Sequence, residues 1–240
     1  MGRMGTAITE IVKNTENAEI VCGFDAVSGQ RDYPVYTDYA EISVDADAII
    51  DFSHPSNFEN ILGYAKKNNL PIIMCTTGLS AEQKAELSAA ASDIPVFFSA
   101  NMSLGINLLI RLAKMATKVL ETNFDIEIIE KHHNKKLDAP SGTALAIADA
   151  IADTMTDDAK YVYERQSVRK QREKSEIGIH AVRGGTIVGD HDVIFAGPDE
   201  VITLSHSAAS REVFAQGAVR AAMFMTGKPK GFYCMDDLFN

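Results

Sequence analysis

Three features of the sequence predict a two-domain α/β chain: a parallel-sheet domain, then a smaller α+β domain with a mixed or antiparallel sheet. Over the first hundred residues, short apolar runs alternate with amphipathic segments, the rhythm of strands joined by helical crossovers. Three β-rich runs separated by glycine turns fill 177–207, as consecutive strands on short turns do. Between them a loop, 130–143, joins an apolar strand to an alanine-rich helix and holds two histidines and three lysines.

The first half reads as follows. Gly2-Arg3-Met4-Gly5 leads into a short amphipathic helix, Thr6 to Asn14. Glu19 to Phe24 alternates as a strand and ends at Asp25. Ala48 to Phe52 is a second strand, and Pro55 to Asn68 a helix with proline in its first turn. Pro71 to Cys75 is a third strand, Ser80 caps a helix running to about Ser92, and Ile94 to Ser99 is a fourth strand.

Parallel sheets bind ligands beyond the carboxyl ends of their strands. Here those ends hold Asp25; Phe52, Ser53 and His54; Thr76, Thr77 and Gly78; and Ala100, Asn101, Met102 and Ser103. Gly2 and Gly5 match the second half of a glycine-rich dinucleotide fingerprint. Asp25 stands about 20 positions on, where an acid holds the ribose hydroxyls. The pattern is Rossmann-like. Its first strand belongs before the glycines, beside the strand ending in Asp25. Without it, backbone groups of the neighbouring strands are expected to be unpaired and cofactor binding weakened.

In the second half, Leu104 to Leu120 is a long amphipathic helix, Asp125 to Lys131 a strand, and Thr143 to Thr154 a helix. Asp157 to Glu176 is a polar loop or flap. Strands Ile177 to Val182, Val188 to Phe195 and Val201 to Ser207 follow, with turns at Gly184-Gly185 and Gly197-Pro198. Arg211 to Met225 is a last helix that packs back on the first domain. The predicted boundaries are 1–103 with 213–240 for dinucleotide binding, and 104–212 for substrate binding and oligomerisation. Of His180, Arg183 and His206 on the late strands, only Arg183 is expected to be functional.

The loop has its own chemistry. Successive strand residues face opposite ways, so His132 and His133 are expected to do different work. An imidazole passes protons near neutral pH. Lys136 offers a fixed charge or a second proton donor. Ser141, Gly142 and Thr143 start a helix, whose first N–H groups attract anions such as carboxylates. The same residues also fit a solvated basic loop with an ordinary helix cap.

The formal charge of -10 argues against a nucleic-acid binder. The basic cluster Arg165 to Lys174 reads as a solvated face or a loop near an anion. No apolar run is long enough for a membrane helix. Three scattered cysteines, Cys22, Cys75 and Cys234, suggest free thiols in a reducing cytoplasm. Adjacent strand histidines do not make a zinc site, and Pro140-Ser141-Gly142 lacks the pattern of a hydrolase nucleophile, so no metal is expected.

Glu130-Lys131-His132-His133 through Lys136-Leu137-Asp138-Ala139-Pro140-Ser141-Gly142-Thr143 resembles the signature of the dihydrodipicolinate reductase family of lysine biosynthesis. Gly2-Arg3-Met4-Gly5 resembles its cofactor loop. Asp51-Phe52-Ser53, Thr76-Thr77-Gly78 and Ala100-Asn101-Met102-Ser103 resemble its nicotinamide-site loops. The resemblance implies NADH- or NADPH-dependent reduction of a small cyclic dicarboxylate to tetrahydrodipicolinate, in a homotetramer. It implies His132 as general acid and Lys136 as second proton-handling residue. His133, Lys136, Gly142 and Thr143 are implied to hold the substrate carboxylates. Ala26, not a basic residue, follows Asp25, and Arg31 is the nearest cation, so NADH is favoured and NADPH remains open. The alternatives are a nicotinamide-dependent reductase of another small imino or oxo acid, and a cofactor-binding protein with impaired catalysis.

Overall fold

A computed structural model describes residues 2–239. In chain order the elements are α1 (Arg3–Lys13), β1 (Gly23–Phe24), β2 (Val35–Tyr36), β3 (Ile49–Asp51), α2 (Phe58–Asn68), β4 (Ile72–Met74), α3 (Ala81–Ala90) and β5 (Pro95–Phe98). Then come α4 (Leu104–Leu120), β6 (Asp125–His132), α5 (Gly142–Ala152), β7 (Lys160–Val162), β8 (Glu176–Arg183), β9 (Gly189–Ala196), β10 (Val201–Ala208), α6 (Glu212–Met225) and β11 (Gly231–Tyr233). They form two compact units, one built from 2–104 with 212–239, the other from 105–211. The predicted domain limits at residues 1 and 240 lie outside the described residues. No described helix is long and apolar enough to cross a membrane.

The first unit contains two sheets. A parallel four-stranded sheet runs β11-β5-β4-β3, and a separate parallel pair joins β1 to β2. Period-two alternation covers both faces of the larger sheet. Ile72, Met74 and Val96 meet Phe58, Leu62 and Leu87 on one side. Ile73, Cys75 and Phe97 meet Ala218, Ala221 and Met225 on the other. The last helix therefore belongs to this core. Its Gly217 lies so close to the loop after β5 that a Cβ there would stand 1.8 Å from the Met102 carbonyl oxygen. α3 opens with a reciprocal cap between Ser80 and Gln83.

Several details differ from the sequence reading. The strand expected over Glu19 to Phe24 contracts to Gly23–Phe24, where Gly23 N–H and Asp25 N–H bond to Pro34 and Tyr36 carbonyls. Pairing partners, not alternation, decide strand length, and among the described residues no strand bonds the β1-β2 pair to the edge strand β3. β2, β7 and β11 were too short to show a periodic pattern. The predicted helix from Pro55 begins as a 3-10 turn, Pro55–Asn57, before α2.

The second unit has one mixed sheet, β10-β9-β6-β8-β7. β6 pairs parallel to β8 and antiparallel to β9. Gly184-Gly185 consequently does not close a hairpin, because β6 lies between β8 and β9. Gly197-Pro198 does, joining β9 to β10. β6 alternates strictly, burying Ile126, Ile128, Glu130 and His132. The isoleucines join Ile147 and Ile151 of α5, Leu109 of α4, and Val193 and Phe195 of β9 in the core. The basic segment 165–174 is exposed along most of its length, as a solvated face is, and several of its cations pair with carboxylates of the protein. Arg165 bonds Glu127 and buried Glu176 at 2.7 and 2.6 Å, and Arg172 reaches Asp125 and Glu127, each at 3.0 Å.

Candidate active site

In the first unit, the predicted cofactor residues follow the carboxyl ends of parallel strands or open α1. Gly2 is the N-cap of α1, and Arg3, Met4 and Gly5 form its first turn with no side-chain cap. Their N–H groups have no intrahelical acceptor. Asp25 follows β1, its carboxylate accepting from Val27 N–H at 3.4 Å. Phe52 and exposed Ser53 follow β3. Thr76 turns inward, donating to Asp51 at 2.7 Å, while Ser53 N–H donates to the other Asp51 oxygen at 2.9 Å. This buried carboxylate ties the end of β3 to the end of β4 and leaves Thr77 and Gly78 at the surface. The Ser99 hydroxyl donates to the Asn101 carbonyl at 2.7 Å, and the Asn101 side chain accepts from Ser103 N–H at 2.9 Å, so the Ala100-Asn101-Met102 loop is locally braced. The Met102 side chain is core, only 2% exposed.

In the second unit, the apolar alternation that folds β6 also carries Glu130 and His132 to the buried face, while Lys131 goes to the other and pairs with Asp192 at 2.9 Å. His133 lies beyond the strand end and is half-buried. His132 Nδ1 lies 2.6 Å from Glu130 Oε2. Arg183, paired with His132 across the ladder, donates Nη1 to Oε2 at 2.7 Å and Nη2 to Oε1 at 2.6 Å. Ser141 N–H adds a bond to Oε1 at 3.0 Å. Burial raises the Glu130 pKa, but the Arg183 fork, the His132 ring and the Ser141 N–H outweigh it and hold the carboxyl below its usual range. Breaking such a buried pair from one side costs about 3–5 kcal/mol, so the arrangement is rigid.

Ser141 is 2% exposed, and its groups are used inside the protein. Its hydroxyl oxygen caps α5 by accepting from Ala144 N–H at 3.1 Å and lies 3.3 Å from His191 Nε2. It braces the site from beneath, whereas Gly142 is exposed and Thr143 half-buried at the helix start. His191 packs edge-on against His132 with ring centroids 5.3 Å apart. Burial first, then the neighbouring His132, lower its pKa to about 4, so it is neutral at physiological pH. Lys136 pairs with Asp138 at 2.9 Å and holds that carboxyl below its usual range. Arg183 also donates to the Asp138 carbonyl at 2.7 Å, tying the lysine loop to the Glu130 clamp.

The predicted residues of 132–143 therefore come together on one loop of the second unit. The sequence reading gave no role to Glu130 or His191, and it missed the tie made by Asp51. Glu130 had a signal: it stands two residues before His132 on a strand and so shares its face. No local pattern placed His191 against His132, because that meeting depends on the β6–β9 register.

The family model described as "Dihydrodipicolinate reductase, N-terminus" matches residues 1–102, and that described as "Dihydrodipicolinate reductase, C-terminus" matches 105–239. The 4-hydroxy-tetrahydrodipicolinate reductase of Caldanaerobacter subterraneus subsp. tengcongensis is 54% identical over 237 residues, covering 99% of this chain and 94% of that protein. The Clostridium novyi protein of the same name is 49% identical over 238 residues, with 99% and 94% covered. Among solved structures, the dipicolinate-bound dihydrodipicolinate reductase from Paenisporosarcina sp. TG-14 matches with a TM-score of 0.82 at 25% identity, covering 97% of this chain and 94% of that one.

Proposed function

The chain belongs to the dihydrodipicolinate reductase family, and on that premise we propose that its second unit supplies the proton and binds the substrate while its first unit holds the dinucleotide. The protein is an NAD(P)H-dependent 4-hydroxy-tetrahydrodipicolinate reductase of lysine and diaminopimelate biosynthesis. Its substrate is a small dicarboxylate, as is the dipicolinate held by the solved relative.

The observation that carries this division is the His132 imidazole, clamped by buried Glu130 at the end of β6 and followed within one loop by Lys136 and the start of α5. Reduction of an unsaturated ring requires one hydride and one proton. The bound nicotinamide supplies the hydride. His132 gives the proton, and Lys136 provides the fixed charge or a second proton. His133, Lys136, Gly142 and Thr143 hold the substrate carboxylates, with Ser141 supporting them from below. The Lys136–Asp138 pair is half-exposed on the aspartate side, and such pairs are worth about 0–1 kcal/mol, so an arriving carboxylate displaces Asp138 at small cost.

The uncapped start of α1 suits a pyrophosphate and Asp25 suits a ribose diol. Phe52, Ser53, Thr76, Thr77, Gly78, Ala100, Asn101 and the Met102 backbone complete the cofactor side. NADH is preferred. Asp25 repels a 2′-phosphate, and Arg31 is anchored to Thr6 Oγ1 at 3.0 Å. Assembly as a homotetramer through the second sheet is supported by exposed Val182, Val201 and Ile202 on its strands. The unpaired thiols of Cys22, Cys75 and Cys234 suit the cytoplasm. A cofactor-oxidation assay with freshly generated substrate, run with each dinucleotide, tests the reading. A lower KM for NADH is expected; a lower KM for NADPH would assign control of the 2′-phosphate to Arg31.

A further inference from the structure

Resting on the reading of His132 as the proton donor, we infer that Glu130 is its positioning residue, and that Gly189 provides the seat for the other edge of the ring.

The Glu130 carboxylate is fully enclosed and accepts four donors: the His132 ring, both terminal nitrogens of Arg183, and the Ser141 N–H. An ionised carboxylate only accepts, so His132 Nδ1 must carry a hydrogen in both charge states of the ring. The exchangeable proton is thereby assigned to Nε2. Delivery breaks the Nε2–H bond and forms a bond from that hydrogen to the substrate atom made basic by hydride arrival. The ring is left neutral, with Nδ1–H still on Glu130. Without this clamp the ring can rotate, or hold its neutral-state hydrogen on the wrong nitrogen.

The Nε2–Cδ2 edge of the ring passes beside Gly189 at the start of β9. A Cβ built on that residue would lie 3.0 Å from Nε2 and 3.3 Å from Cδ2, tighter than ordinary van der Waals contact. Any side chain at 189 would push the ring against its bond to Glu130. The groups facing the ring are Glu130 on its own strand, Arg183 of β8 through that carboxylate, and His191 of β9. His191 is neutral at working pH, which leaves Glu130 as the counter-charge when the ring is protonated.

The test compares Glu130→Gln, Gly189→Ala, His132→Gln and the Glu130→Gln/His132→Gln double variant by steady-state kinetics over pH. Glu130→Gln is expected to lower kcat by about 10–100-fold with little change in NADH affinity, as loss of an orienting partner does. The high-pH limb of kcat/KM should move to lower pH, because the charged ring loses its counter-charge. Glu130→Asp should recover part of the rate. In the His132→Gln background, Glu130→Gln should cost almost nothing further. Additive losses, or an unmoved pH limb, would make Glu130 a purely structural anchor and overturn the inference. If Glu130→Gln does not fold, Gly189→Ala decides, since it leaves every ion pair in place; a wild-type rate there would overturn the seat and with it the inference. Wild-type turnover in His132→Gln alone would instead overturn the underlying assignment of the acid.

Discussion

The two units hold their functional loops by different means. In the second, four strands of eight residues and the short β7 form one continuous sheet, and His132, the proposed acid, sits at the end of its central strand over a buried charge cluster. In the first, the strands run two to four residues and divide between two sheets. Its loops are held by a few local bonds, such as Thr76 and Ser53 on Asp51, and by the close packing of α6. The difference matches the two tasks proposed for the units. Proton delivery tolerates only small errors in distance and direction, so its donor belongs on rigid elements. A dinucleotide spreads its contacts over several strand ends, and each contributes modestly.

The sharpest way to break this contrast is to remove the proposed acid. His132→Gln should lower turnover about 10²–10⁴-fold, with NADH affinity by calorimetric titration unchanged. A matching loss of NADH affinity would mean that the tasks are not divided between the units.

Packing in the first unit is the next largest effect. Gly217→Ala should destabilise by about 1–3 kcal/mol, because its Cβ has no space beside Met102. Urea unfolding measures this, and NADH titration should show a parallel loss as the Ala100-Asn101-Met102 loop is displaced. Unchanged stability would show that the loop yields freely and that the first unit is softer than its packing implies.

Acid sensitivity belongs to the second unit. Arg165 first, then Lys170, lower the Glu176 pKa from 4.5 to about 2, so this contribution to stability is complete above about 4.5 and is lost as pH falls toward 2. His191 acts in the same direction by another route. Its folded pKa of about 4 lies below the ordinary 6.5, so the unfolded chain binds the proton first and stability falls as pH drops between those values. Thermal midpoints of Glu176→Gln and His191→Gln should therefore depend less on pH in those windows than wild type. Identical slopes would remove either group from the account.

The smallest effect expected is on substrate affinity. Asp138→Asn releases Lys136 from its internal carboxylate and should lower KM for substrate a few-fold, in line with the roughly 0–1 kcal/mol of a half-exposed pair. A raised KM would show that Asp138 orients the lysine rather than competing for it.

Much of this was legible in the chain. The 125–132 alternation, the helix cap at Ser141 and the strand ends at 76–78 and 100–102 are local patterns, readable because side-chain direction follows from backbone period. Glu19 to Phe24 shows where that reading fails: alternation permits a strand, but only a paired neighbour makes one, and here pairing reaches only Gly23–Phe24.

The sequence by itself determined the element types, the face that buries His132, and the loop where proton-transfer groups meet a helix start. Tertiary structure alone decided what surrounds that histidine. Arg183 lies 53 positions from Glu130 in the chain, and Ser141 lies 50 from His191. Those meetings are set by the register of β6 with β8 and β9 and by the return of the loop onto the sheet. A one-residue slip of β6, β8 or β9 would send Glu130, Arg183 or His191 to the opposite face. No local pattern encodes such a contact, because the favourable term is the mutual satisfaction of buried charges, and that exists only once the strands are side by side.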